Sequence, residues 1–198
     1  MARLSADNRQ RAEAIVACYP KRRSALIPLC HLAQAQDGWL TEEAMEDIAG
    51  LLGCTPAEVR GTASFYDMLH TEPVGRHVVT VCTNIACMLA GAYEVIDHAE
   101  ASLGISVGQT TADGEFTLEE AECLAGCDRA PCVQVNHRFF GPVDPDRFDA
   151  LTEDLRSGRL GETVPAHGVL SRVERSVGLP AREARSGPRA PSTGTVPE

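Results

Sequence analysis

The sequence predicts an α/β (α+β) protein: a small sheet with helices packed on it, preceded by a small bundle of helices. Three observations carry this expectation. In residues 1–73 the apolar positions recur at helical spacing. At Pro73-Val74-Gly75 the period changes, and the β-branched run His77-Val78-Val79-Thr80-Val81 reads as a buried strand. Strand and helix signals then follow in the order β-α-β-β-β-α as far as residue 160.

The bundle is read as four helices. Ala12, Ile15, Val16 and Tyr19 share one face of the first, which Asp7 is expected to cap and Pro20 to end. Ser24 opens the second, whose buried stripe is Leu26, Leu29, Cys30 and Ala33; Pro28 lies near its first turn and Gly38 stops it. Thr41 opens the third, with Glu42 and Glu43 at its positive N-terminal end and Met45, Ile48 and Leu52 facing inward. Thr55-Pro56-Ala57-Glu58 combines an N-cap, a first-turn proline and a capping-box glutamate. This fourth helix is expected to run through Val59 and Ala63 into Phe65 and Tyr66, both read as core anchors at the bundle's edge.

The sheet region opens with the strand that ends at Cys82. An amphipathic helix follows on Ala92, Val95, Ile96, Ala99 and Leu103, closed by Gly104. Asp113-Gly114 signals a hairpin turn, with Phe116 and Leu118 alternating in the strand that follows. Val133 and Val135 form another strand, turned at Asn136-His137 into Arg138-Phe139-Phe140. Asp144-Pro145-Asp146 starts a last helix with Phe148, Leu151 and Leu155 on its inner face. This order suits a thioredoxin-like arrangement, although the pattern leaves the order of strands in the sheet open. The expected organisation is a helical bundle over residues 1–73, the α/β domain over 74–160, and a tail over 161–198. The tail, rich in Pro, Gly, Ser and Arg, is expected to be partly disordered, with His167-Gly168-Val169-Leu170 as a segment for docking on a partner.

Composition narrows the function classes. A hydrophobic fraction of 43% and a charged fraction of 23% are those of a soluble globular chain. A net charge of −10 argues against nucleic acid as a partner, because phosphate binding needs clustered Lys and Arg. The N-terminal stretch has no apolar signal region, and the longest uncharged run, His77 to Tyr93, is too polar for a membrane span. A cytoplasmic protein is expected, in which clustered cysteines bind metal more often than they form disulfides.

The chemistry is concentrated in two stretches, Cys82-Thr83-Asn84-Ile85-Ala86-Cys87 and Cys123-Leu124-Ala125-Gly126-Cys127. Each follows a predicted strand and carries two thiols. If the two strands run in the same direction, both loops emerge at one sheet edge, where ligand sites of α/β folds form. Four thiolates suit either iron–sulfur or zinc. The adjoining α/β core, which needs no metal to fold, and the small uncharged loop residues favour a cluster over a structural zinc. The compact cysteine run of a [4Fe–4S] ferredoxin, a Cys-x-His pair and a C-x-x-C dithiol do not occur.

The stretches CTNIACMLAG and TTADGEFTLEEAECLAGCDRAPCVQVN resemble the [2Fe–2S] subunit of bacterial respiratory complex I, the NuoE-type subunit of NADH:quinone oxidoreductase. The resemblance runs from about residue 10 to about residue 170, the helical segment and the Ala130-Pro131 step included. It implies a thioredoxin-like [2Fe–2S] ferredoxin domain whose ligands are Cys82, Cys87, Cys123 and Cys127, each loop's pair on one iron. It also implies a neighbouring flavoprotein subunit that binds FMN and NADH, further peripheral-arm subunits, and a place on the inner face of the cell membrane reached through the complex. Two departures stand out. Members of the family often read Leu-Gly-Ala where this chain has Leu124-Ala125-Gly126, and Cys132 is an extra cysteine, read as a small buried residue.

Cys18, Cys30 and Cys54 read as core or incidental thiols, and the six histidines show no ligand spacing. The chain lacks a Gly-x-Gly-x-x-Gly or P-loop pattern, so FMN and NADH are expected on the partner. The expected function is an electron-transfer subunit that accepts single electrons from that FMN. The alternatives are the equivalent subunit of a soluble NAD-linked formate dehydrogenase or hydrogenase, a zinc-binding interaction module, and a free ferredoxin, against which the helical bundle counts.

Overall fold

The computed structural model describes residues 3–164 and residue 167. The remainder of the predicted tail, with its expected disorder and the docking segment beyond His167, lies outside the described residues.

Four helices come first: α1 (Ala6–Ala17), α2 (Leu26–Asp37), α3 (Glu42–Leu52) and α4 (Pro56–Ala63). The predicted inward stripes of α2 and α3 are all buried, and both helices end on left-handed glycines, Gly38 at φ 83° and Gly53 at φ 71°. Thr41 caps α3 through the Ala44 N–H, and the Thr55–Glu58 capping box of α4 forms in both directions. The Thr55 N–H and Arg23 hold the Glu58 carboxyl down at about 2.

Four bundle expectations need correction, the first being Tyr19, which lies beyond the end of α1 at Ala17 and is 37% exposed. Ser5, not Asp7, caps α1, by accepting from the Asn8 N–H. Ser24 opens no helix; it lies in a 3₁₀ turn over Arg22–Ala25 that precedes α2. The fourth helix stops at Ala63, and Phe65 is 79% exposed. Tyr66 alone packs against the core, with the Phe65 ring edge-on to it at 5.0 Å. Helical periodicity does not extend past the Ser64 C-cap, so the two rings differ in burial.

The sheet contains β1 (His77–Cys82), β2 (Phe116–Ala121), β3 (Val133–Val135) and β4 (Arg138–Phe140) in the order β2-β1-β3-β4. β1 runs parallel to β2, with His77 opposite Phe116 and Cys82 opposite Ala121. It runs antiparallel to β3, which pairs antiparallel with β4. Between β1 and β2 lie α5 (Ile85–Leu89) and α6 (Ala92–Leu103); α7 (Pro145–Arg156) follows β4. α5 departs from the sequence reading, which has only a loop there. Its five residues are too few for periodicity to register.

Two apolar cores result. One joins residues from Leu4 to Leu69, with Leu29, Leu40, Ile48 and Val59 wholly buried. The other joins Val79, Val81, Phe116, Leu118, Val133 and Val135 of the sheet to α6 and α7, with Phe148 at its centre. Burial of each large side chain contributes roughly 1.5–3 kcal/mol before ordering entropy is counted. β1 alternates: Val79 and Val81 enter this core, while Val78 and Thr80 face a cavity of about 350 Å³ on the sheet's other side. Gln34, Met68 and His70 line that cavity from the bundle side.

Candidate metal centre

Because β1 and β2 are parallel, both cysteine loops leave the same edge of the sheet, as the sequence reading requires. Cys82 is the last residue of β1, opposite Ala121, two residues before Cys123. The Thr83 N–H donates to the Ala121 carbonyl at 2.9 Å, and the Thr83 hydroxyl donates to Glu120 at 2.7 Å, so the two loops are joined at their roots. Asn84 then caps α5, whose inner side carries Cys87.

Cys82 and Cys87 are buried, at 2% and 1% exposure, and each shifts the other's ionisation. Burial opposes ionisation of Cys82, but N–H groups of Leu124 and Asn84 and the Cys87 thiol outweigh it and lower its pKa. The Leu124 N–H comes from the second loop, so that loop already favours a thiolate on the first. Cys87 moves the other way. Burial and the neighbouring Cys82 and Cys127 raise it, although the Cys132 N–H works against the rise.

The second loop is more open. Cys123 and Cys127 are exposed, and Cys123 lines the cavity beside the sheet. The Ala125 N–H donates to the Cys123 sulfur at 3.4 Å, with Ala125 itself at φ 57°. Cys127 begins a 3₁₀ turn over Cys127–Arg129. Cys132 is wholly buried, as expected, and burial followed by the nearby Cys87 and Cys82 pushes its thiol up to about 11.

Cys82 and Cys87 act on each other's ionisation and Cys127 acts on that of Cys87, while Cys123 lines the cavity. As they stand, no three His, Cys, Asp or Glu side chains among the described residues are grouped closely enough to hold an ion. The donor set nevertheless fits a four-thiolate centre. All four thiols are free, they sit on adjoining loops, and the backbone N–H groups of Leu124 and Asn84 favour the Cys82 thiolate. Elsewhere, Cys30 is a core thiol pushed up to about 12 by burial and by Cys54, and Cys18 is exposed.

The model of the thioredoxin-like [2Fe-2S] ferredoxin family matches residues 12–156. The chain belongs to this family. Among similar members, an E-type subunit of NADH-quinone oxidoreductase from Rhizobium meliloti is 43% identical over 149 residues, covering 75% of this chain and 89% of the relative. NADH-quinone oxidoreductase subunit 2 of Thermus thermophilus is 39% identical over 165 residues, 82% of this chain and 91% of the relative. A solved NAD+-reducing [NiFe]-hydrogenase aligns with a TM-score of 0.61 at 28% identity. That alignment covers 67% of this chain and 23% of the hydrogenase chain.

Sequence reasoning missed the groups around the four candidate cysteines that are not themselves cysteines. The Thr83–Glu120 hydrogen bond and the Leu124 N–H had no signal in the sequence. Asn136, within the quoted motif, had one. Its side chain accepts from the Val78 N–H at 2.9 Å and donates to the Arg76 carbonyl at 3.0 Å, fixing the start of the strand that ends in Cys82.

Proposed function

We propose that the chain is the [2Fe–2S] electron-transfer subunit of an NADH-quinone oxidoreductase of the complex I type, with Cys82, Cys87, Cys123 and Cys127 holding one cluster. The carrying observation is the parallel pairing of β1 with β2, which sets both cysteine pairs on one sheet edge with their loops joined by the Thr83 N–H to the Ala121 carbonyl. When bound, such a cluster supplies one-electron redox chemistry next to a two-electron flavin. The chain's own residues bind and shield. Buried Cys82 and Cys87 exclude water from one side, and the N–H groups of Leu124, Asn84 and Cys132 stabilise sulfur charge there.

FMN and NADH belong, in this reading, to a flavoprotein partner, and other peripheral-arm subunits complete the surroundings. Ile85, Met88 and Leu89 stand exposed on α5, the helix that buries Cys87, and offer that partner an apolar contact beside the thiols. No helix among the described residues is long and apolar enough to cross a membrane. The proposed location is the inner face of the cell membrane, reached through the complex. The bundle over residues 1–73 and the ferredoxin domain over 74–160 are proposed as separate units, in keeping with the two cores.

The relatives named for NADH-quinone oxidoreductase favour this assignment over a soluble NAD-linked hydrogenase or formate dehydrogenase, which the hydrogenase alignment keeps as a second reading. Anaerobic reconstitution with iron and sulfide tests the first part. Iron, acid-labile sulfide and a reducible visible spectrum are expected, and one zinc with no iron would refute it. Co-purification with membrane-arm subunits, against soluble hydrogenase or dehydrogenase subunits, separates the two complexes.

A further inference from the structure

We propose that Cys132 is a positioning residue of this centre, whose sulfur props the second cysteine loop at Gly126 and sets where Cys123 and Cys127 stand relative to Cys82 and Cys87. The inference rests on the four-cysteine reading above. Cys132 touches both loops. Its carbonyl accepts from the Cys82 N–H at 3.0 Å, so its backbone is fixed to the first pair. Its side chain then reaches the second loop.

The position of the loop's glycine shows how close that approach is. Ala125 has φ 57°, a left-handed conformation that glycine adopts at least cost, yet the glycine stands one residue later. Gly126 has φ −102°, which any residue can adopt. The need for glycine there is steric. A Cβ at residue 126 would stand 2.5 Å from the Cys132 sulfur and 3.3 Å from its Cβ. The chain therefore accepts strain at Ala125 and keeps residue 126 bare, and the sulfur of Cys132 fills the space. The order Ala125-Gly126 and the extra cysteine, two separate departures in the sequence, form one packing unit.

Gly126→Ala, Cys132→Ala and the double variant of the full chain, reconstituted with iron and sulfide, test the proposal by iron and sulfide content, the EPR signal and the midpoint potential. Cys132→Ala is expected to load fully but to show a shifted potential and altered EPR signal, because the loop relaxes into the space left. Gly126→Ala is expected to retain roughly tenfold less cluster, by overpacking against the sulfur. Adding Cys132→Ala to it is expected to restore most of the loss. A double variant no better than Gly126→Ala would overturn the proposal, as would Cys132→Ala with potential and EPR signal unchanged. Loss of the cluster in Cys132→Ala would also overturn it, making Cys132 a ligand. A wild-type chain that takes up no iron would instead remove the four-cysteine reading.

Discussion

Asn136→Ala is expected to destabilise the chain by about 2–4 kcal/mol. Asn136 is 4% exposed and sits in the turn between β3 and β4 at φ 44°. Its side chain satisfies two backbone groups near the start of β1, the Val78 N–H and the Arg76 carbonyl. Alanine leaves both without these partners at about 1 kcal/mol or more each, since each is partly buried. It also carries a Cβ in a left-handed conformation that asparagine tolerates better, for roughly 1 kcal/mol more. Asn136→Gly separates the contributions: it loses the same two hydrogen bonds but not the conformational freedom, so it should fall about 1 kcal/mol short of the alanine variant. Urea unfolding followed by far-UV circular dichroism measures both. A loss below about 0.5 kcal/mol in Asn136→Ala, or equal losses in the two variants, would refute the reasoning.

Three further outcomes are expected. Cys82→Ser or Cys127→Ser should abolish or strongly alter the visible and EPR spectra of the reconstituted chain, while Cys132→Ser should keep iron and sulfide near wild-type content. Stability should fall as pH drops below about 6.5, because burial lowers the pKa of His70 and His137, and the unfolded chain then takes up protons that the folded chain refuses. Glu119, raised by burial, acts in the opposite sense, so the check is a shallower acid slope of the urea midpoint in His137→Gln than in wild type. Leu89→Asp should weaken co-purification of the flavoprotein partner by roughly tenfold without changing iron content, as expected for an exposed apolar contact.

Much of the fold was legible because its signals are local. The Thr55–Glu58 box, the Gly38 and Gly53 stops, the Asn136-His137 turn and the inward stripe of α7 each lie within a few residues of chain. The candidate site was legible for a different reason: its thiols stand in two short runs. What sequence could not supply is what distant segments do to one another. The strand order depends on which edge of β1 each later strand takes. The exposure of Phe65 depends on where α4 stops, and the burial of Cys132 beneath Gly126 depends on two loops meeting. Ser5 and Asp7 are both good cap residues, and the backbone angle at Ser5, which no local pattern carries, decides between them.

The position of β1 in the sheet bears on how the chain is made. β1 is an interior strand, yet both of its neighbours are encoded after it, β2 at Phe116–Ala121 and β3 at Val133–Val135. During synthesis the run His77-Val78-Val79-Thr80-Val81 leaves the ribosome with both edges unpaired, and one edge stays bare until residue 135 has followed. The helices before it close almost wholly among themselves by Leu69 and wait for nothing downstream. A ribosome stalled between these points therefore presents a folded bundle followed by a bare β-branched strand, the kind of edge that pairs with a neighbouring chain when its own partners are late.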